Sequence, residues 1–354
     1  MKTLLSLLLI AAPLTAQLRP VSTFSIVARD SATGQIGVAV QSHWFAVGQI
    51  VPWAEAGVGG IATQSFVDPA YGKLGLDLLR AGKSAPEALR ALLHGDASCQ
   101  VRQVGMIDAK GDVATFTGAR DIIAAGGIAG SQSGTAQVQC GSAGGVLLVG
   151  RDFAVQANLM ANETVWPAME RAFTAAGGDL AERMLAALDA AQAAGGDIRG
   201  RQSAALVVVN GTSTGRPWQD RLFDVRVDDH PEPLAELRRL VATQRAYNHM
   251  NAGDLAVEHG DAEAALREYA AAERIAATTP GITASRQAEM LYWHAVALVN
   301  MKRVDEALPL FARAFELQPG WRELTPRLPR SGLLPDDPRL IERITTARSA
   351  GKQP

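Results

Sequence analysis

The chain has 354 residues, 47% of them hydrophobic, with a formal net charge of −2. That is the profile of an ordinary globular protein with room for about two domains, and it lacks the basic stretches that would favour a nucleic-acid partner. Past the first residues no apolar run is long enough for a membrane span. The start of the chain reads differently. Lys2, the apolar run 4–12 and Leu14-Thr15-Ala16 match the three regions of a secretory signal ending at residue 16. The alternative is a buried N-terminal helix. No cysteine follows the apolar run, so a lipid anchor has no support, and the expectation is export to the periplasm or medium. In an oxidising compartment Cys99 and Cys140, the only two cysteines, form a candidate disulfide rather than two unrelated buried thiols.

Thr23-Phe-Ser-Ile-Val-Ala-Arg-Asp30 alternates Phe24, Ile26 and Ala28 with Thr23, Ser25 and Arg29, the period of a strand with one wetter face. Asp30-Ser-Ala-Thr-Gly34 supplies a turn, and Ile36, Val38 and Val40 restart the alternation, so a hairpin opens the mature domain. A threonine at its head has a specific chemical option. If it is the true N-terminus, its α-amine can take the Oγ proton and make Oγ a nucleophile. The bland reading is a threonine opening a strand. Residues 17–22 would block that amine.

Gly57-Val-Gly-Gly-Ile-Ala62 matches a loose dinucleotide fingerprint, and Asp77 sits at a suitable distance. The frame is wrong, because strand-like Ala62-Thr-Gln-Ser-Phe66 and then Pro69 follow instead of a helix; a close-packed turn fits better. Residues 74–93 read as helix interrupted at 81–84, with Ser84, Pro86 and Glu87 as a restart signal. A second hairpin spans 101–117. The Gly-, Ala-, Ser- and Gln-rich stretch 118–150 has no clear period and reads as an insertion tied down through Cys140. Residues 153–160 return to strand. Residues 165–194 read as helix broken at Gly177-Gly178, with Asp179 as a cap. Residues 204–209 and 222–227 are paired strands. This order suits two mixed sheets covered by helices.

Several of these strings resemble one bacterial family, domain of unknown function 1028. They are Thr23 to Asp30, Ser42-His-Trp-Phe-Ala-Val-Gly48, Val51-Pro-Trp-Ala-Glu-Ala-Gly57, Ala62-Thr-Gln64, Gly200-Arg-Gln-Ser-Ala-Ala205 and Val227-Asp-Asp-His-Pro231. The resemblance covers roughly residues 23–240. It implies an α+β fold, the four-layer αββα sandwich of the N-terminal nucleophile (Ntn) hydrolases. The activity it implies is amide hydrolysis through Thr23, without a cofactor, on an unidentified small molecule or peptide. Relatives that carry a peptidoglycan-binding module point toward cell-wall amides. Fold likeness implies the reaction less strongly than the architecture.

Candidate partners of Thr23 are the polar residues of the matched strings and of the strands beside them. His43 and Asn158 are catalytic candidates, His43 to bond the nucleophile or lower the amine pKa and Asn158 to donate to an oxyanion. Ser42, Thr63, Gln64, Asn162, Gln202 and Ser203 are substrate-binding candidates. A solvent-facing histidine is the plain alternative for His43. Asp228, Asp229 and His230 look like a metal or acid cluster, but Pro231 and Pro233 follow, so capping of the next helix is the expected role. The six histidines at 43, 94, 230, 249, 259 and 294 show no metalloprotease spacing, and a Gly-x-Ser-x-Gly elbow, a Walker loop and an EF-hand are all missing from the sequence. No metal is expected.

After Pro233 the composition turns helical. Residues 260–273 resemble the second helix of a tetratricopeptide repeat, and 304–316 repeat the pattern, with Ala265 answering Ala307 and Tyr269 answering Phe311. Two hairpins make a short solenoid that packs on the main domain or offers a groove to a protein partner. The expected division is a signal peptide 1–16, a catalytic-type domain 17–240, a helical domain 241–330 and a tail 331–354. The competing reading is a non-catalytic exported module that binds through its cleft and repeats, possible also as a homo-oligomer. The state of the Ser22-Thr23 bond separates the two.

Overall fold

The computed structural model describes residues 21, 23–140 and 142–348. The expected signal segment and Ser22 lie outside the described residues. Twelve strands fall among them: β1 (Thr23–Arg29), β2 (Ile36–Ser42), β3 (Pro52–Glu55), β4 (Gly59–Ser65), β5 (Arg102–Asp108), β6 (Asp112–Gly118), β7 (Gly126–Ala129), β8 (Gly134–Val138), β9 (Gly145–Arg151), β10 (Phe153–Asn158), β11 (Ser203–Val209) and β12 (Arg221–Val227). The helices are α1 (Ala70–Arg80), α2 (Ala85–Gly95), α3 (Val165–Ala175), α4 (Leu180–Ala193), α5 (Pro233–Glu258), α6 (Ala262–Thr278), α7 (Ala284–Asn300), α8 (Val304–Leu317), α9 (Gly320–Leu324) and α10 (Pro338–Thr345).

The strands form two six-stranded sheets, ordered β12-β11-β2-β1-β10-β7 and β3-β4-β5-β6-β9-β8. Every pairing is antiparallel, so the expectation of mixed sheets is corrected. Short hairpins join β1 to β2, β3 to β4, β5 to β6 and β8 to β9, and an antiparallel pair needs no crossover helix. The stretch 118–150 is also not an insertion. It supplies β7 to the edge of the first sheet and β8 and β9 to the second. Its small residues are what close packing there requires: a Cβ on Gly145 would lie 2.5 Å from the Phe116 ring.

Three apolar layers hold the sandwich. Phe24, Ile26 and Ala28 of β1 pack with Met169 and Phe173 of α3, Met184 and Leu188 of α4, and Leu234, Leu237 and Val241 of α5. Val27, Val38 and Val40 from one sheet meet Ala62, Ile107 and Val113 from the other. Ile61, Val104 and Met106 pack against Leu76 and Leu79 of α1 and Leu89 and Leu93 of α2. The break between α1 and α2 falls where the sequence predicts it, with the Ser84 N–H donating to Glu87 Oε2 at 2.9 Å. Asp179 caps α4, accepting from the Glu182 N–H at 3.0 Å. Cys99 and Cys140 are bonded, with Cα atoms 5.8 Å apart, so the expected disulfide is present. It ties the approach to β5 to the loop between β8 and β9.

Helix α5 runs straight through position 240, where a domain boundary was expected. Its first turns cover the first sheet, and its later residues Ala246 and Met250 join Ala265, Tyr269 and Met290 in a separate core. Arg245 holds the junction, bonding Asp179 at 2.7 Å and Glu182 at 2.9 Å on α4. Helices α7 and α8 pair around Tyr292, Phe311 and Phe315. The repeated sequence positions Ala265 and Ala307, Tyr269 and Phe311 are all buried. Ile344 of α10 packs into the same cluster, so the tail segment is part of the folded helical region.

Candidate functional site

The pleat of β1 sends Phe24, Ile26 and Ala28 to the helices and leaves Thr23, Ser25 and Val27 for the space between the sheets. The face that reads as wetter in sequence is therefore buried: Thr23 and Ser25 are both 0% exposed. Buried polar groups need partners, and here they come from both sheets. Thr23 lies opposite Ser42 on one side and Asn158 on the other. Its Oγ1 donates to the Val21 carbonyl at 2.9 Å and lies 3.3 Å from Ser42 Oγ. Gln64 Nε2 donates to the Thr23 carbonyl at 3.1 Å and to Gln103 Oε1 at 2.7 Å. Asn158 Nδ2 donates to the same Gln103 oxygen at 2.9 Å. The Gln103 amide N–H groups face Thr117 Oγ1, the Gly126 carbonyl and the Ala157 carbonyl.

A second glutamine does the same one step deeper. Gln156 Oε1 accepts from Thr115 Oγ1 at 2.8 Å, and Nε2 donates to the Ala62 carbonyl at 3.0 Å and to Ser25 Oγ at 3.3 Å. Gln103 and Gln156 thus stitch the two sheets together. Sequence reasoning missed both. The signal that could have found them is a glutamine at an inward position of a strand otherwise built of Val, Met and Ala.

Of the expected site residues, Ser42, Gln64 and Asn158 meet Thr23. The others are engaged elsewhere. The next residue along the pleat, His43, sits against the loop at Gly200, and its N–H donates to Asp197 Oδ2 at 3.1 Å. No hydrogen bond joins its imidazole to Thr23. Thr63 Oγ1 donates to the Asp68 carbonyl at 3.3 Å. Asn162 builds a turn before α3, accepting from the Thr164 N–H and donating to the Ala194 carbonyl. Gln202 donates to Asp229 Oδ1 at 3.2 Å. Ser203 Oγ donates to the Trp44 carbonyl and accepts from the Val47 N–H, fixing the turn after β2. The capping expected of Asp228 and Asp229 does not occur. The cap position of α5 is Glu232, with no side-chain bond, and His230 Nδ1 accepts the Glu232 N–H instead.

The rim of this end is strained and carries an acid. Ala46, Ser65 and Leu159, which follow or end β2, β4 and β10, all have left-handed backbones, with φ of 54°, 68° and 57°. Such conformations in non-glycine residues cluster at functional sites. Ser65 Oγ donates to Asp121 Oδ1 at 2.6 Å. Burial pushes the Asp121 carboxyl up to about 7, against the lowering effect of the Ser65 bond. Phe45, Ile123 and Ile198 stand exposed on the loops around the same end. A cavity of about 300 Å³ adjoins the network from the β7 side, lined by Thr115, Thr117, Gly126, Gly127 and Trp166. Among the described residues no group of three or more His, Cys, Asp and Glu could hold a metal ion. No helix among them is long and apolar enough to cross a membrane.

The model of a family of unknown function, DUF1028, matches residues 23–138 and 122–237. The chain belongs to this DUF1028 family. The match begins at Thr23 and ends inside α5, leaving the later helices outside it. The crystal structure of protein SPO2555 from Silicibacter pomeroyi, which bears the same family name, is similar at 28% identity. It covers 66% of this chain and 92% of its own, with a TM-score of 0.49. No curated protein matches the chain.

Proposed function

We propose that this DUF1028 protein is an exported Ntn-type amidohydrolase whose nucleophile is Thr23, exposed by scission of the Ser22-Thr23 bond. The observation that carries the reading is the polar shell of Ser42, Gln64, Gln103 and Asn158 around the first residue of β1. Apart from this shell and the Gln156, Thr115 and Ser25 cluster next to it, the space between the sheets is filled largely by valine, isoleucine and alanine. Burying so many amides and hydroxyls costs stability that apolar residues would not cost. Positioned donors around a nucleophile justify that cost.

In this mechanism the Thr23 α-amine takes the Oγ proton, and Oγ attacks an amide carbonyl. The C–N bond breaks, the amine returns the proton to the leaving nitrogen, and water cleaves the resulting ester. Asn158, opposite Thr23 on β10 and bonded to Gln103, is the candidate donor to a developing oxyanion. Cell-wall amides are the first substrates to screen. The Cys99–Cys140 bond fits an oxidising compartment, and the α5–α8 hairpins, tetratricopeptide-like in sequence, offer a helical surface to a protein partner.

A second reading has an observation of its own. Thr23 is fully buried with its hydroxyl held by the Val21 carbonyl, so a chain that keeps residues 17–22 is a non-catalytic binding module. Intact mass and N-terminal sequencing of the exported protein separate the two. Under the catalytic reading the chain starts at Thr23 and Thr23→Ala retains the leader and loses hydrolysis. A wild-type chain starting at Gln17 refutes it.

A further inference from the structure

The residue two places before Thr23 is not loosely attached. Val21 is fully buried and forms an antiparallel bridge to the end of β4. Its N–H donates to the Ser65 carbonyl at 2.6 Å, and its carbonyl accepts from the Ser65 N–H at 3.0 Å. The geometry of β3 explains why that edge is free. β3 pairs with Gly59–Ala62 and the Thr63 N–H goes to the Val51 carbonyl, leaving the end of β4 at Ser65 open to another strand. Ser65 is held there by its bond to Asp121, in a left-handed backbone conformation.

We infer that this β4 edge is the acyl-side substrate subsite, and that the substrate is an extended peptide with an apolar residue next to the residue bearing the attacked carbonyl. The inference rests on the catalytic reading above. During scission Thr23 Oγ attacks the carbonyl of residue 22, so the first acyl group carried on that oxygen is the leader itself. In turnover the substrate acyl group is carried on the same oxygen. The chain leading away from each ester therefore starts from one point, and the Ser65 N–H and carbonyl wait one residue further on. Once the leader leaves, both backbone groups are unpaired, and an incoming strand satisfies them in the manner of strand addition to a sheet edge. The side chain takes the place of Val21 in the apolar layer with Val40, Val47 and Ala62. In the reaction the ester forms at Oγ, the amide C–N bond breaks, and the leaving amine takes the Oγ proton by way of the Thr23 amine. One water then returns the free acid and the hydroxyl.

The test uses the chain beginning at Thr23, which retains every strand and helix described above. The probes are N-acetyl-Val-Ser aminocoumarin amide, its analogue methylated on the valine nitrogen, and its Asp-Ser analogue. Methylation removes the N–H that meets the Ser65 carbonyl, and aspartate puts a charge in the apolar layer. Each lowers kcat/KM by about 10- to 100-fold, the size expected when a buried partner is left unpaired. In the full chain, Val21→Asp slows release of the leader by about 10-fold while Val21→Ile does not, by the same reasoning. Hydrolysis of all three probes within about 2-fold overturns the subsite and leaves Thr23 catalysis standing. Hydrolysis of other amides but not of the Val-Ser probe does the same. A chain beginning at Thr23 that cleaves no amide overturns the catalytic reading, and the subsite falls with it.

Discussion

Gln103→Leu tests whether the polar shell is a built network. Gln103 is fully buried on β5, and its side chain joins five partners: Gln64, Asn158, Thr117 and the carbonyls of Gly126 and Ala157. Leucine fills similar space and makes none of these bonds. Gln64 Nε2 keeps its bond to the Thr23 carbonyl, so the losses fall on the shared acceptor of Gln64 and Asn158 and on the donors to Thr117 and the two carbonyls. A buried polar group left unmatched costs about 1–3 kcal/mol, and neighbouring losses are not additive, so the expected loss of stability is about 3–4 kcal/mol. That is a large part of a typical domain's stability of about 5–15 kcal/mol. Urea denaturation followed by tryptophan fluorescence measures it. The control is Gln132→Leu, an exposed glutamine bonded only to Thr135, which should change stability by less than about 0.5 kcal/mol. A Gln103→Leu loss as small as the control's would mean that water or rearrangement satisfies these groups. The case for a positioned polar site would then collapse.

Replacing both cysteines by alanine opens a loop with a sequence separation of 41 and should cost about 3–4 kcal/mol by the chain-entropy model, read as a lower urea midpoint. An unchanged midpoint would show that the bond constrains nothing the fold does not already fix. Asp121 gives a pH dependence with a definite sign. Its folded pKa is raised to about 7, so the native state holds a proton that the unfolded chain has already released. Stability from this group is complete below the unfolded value near 3.8 and is lost as pH rises toward 7. Because part of the side chain reaches solvent, a loss of about 2 kcal/mol between pH 4 and pH 7.5 is the expected size. Asp121→Asn should flatten that slope, and an identical slope in the variant would place the titrating group elsewhere.

What the sequence disclosed and what it hid follow from the range of each interaction. The β1–β2 hairpin, the break between α1 and α2, and the Asp179 cap are local, set by residues within a few positions of one another, and all three were legible. The stretch 118–150 is opaque where β7 and β8 gain their strand character from neighbours, although β9, with Val146-Leu147-Leu148-Val149 between glycines, carries a strand signal of its own. β7 is four residues, Gly-Gly-Ile-Ala, with partners 25 or more residues away in β10. The site divides in the same way. Thr23, Ser42, Gln64 and Asn158 stood out as polar residues ending strands, and strand register does bring them together. His43 follows Ser42 in sequence and Ser203 lies opposite Ser42 in the sheet, yet the pleat and the turn after β2 give them other partners. The acid on the rim, Asp121, follows β6 in a loop whose course depends on the second sheet, and only its contact with Ser65 draws attention to it. Ser65 then joins the two halves of the functional argument. One residue with a left-handed backbone holds the Asp121 carboxyl through its side chain and Val21, two places before Thr23, through its backbone. A change at Ser65 therefore reports on the docking of Val21 and on the Asp121 proton together, whereas Thr23→Ala removes the proposed nucleophile and, with it, the bond from Thr23 Oγ1 to the Val21 carbonyl.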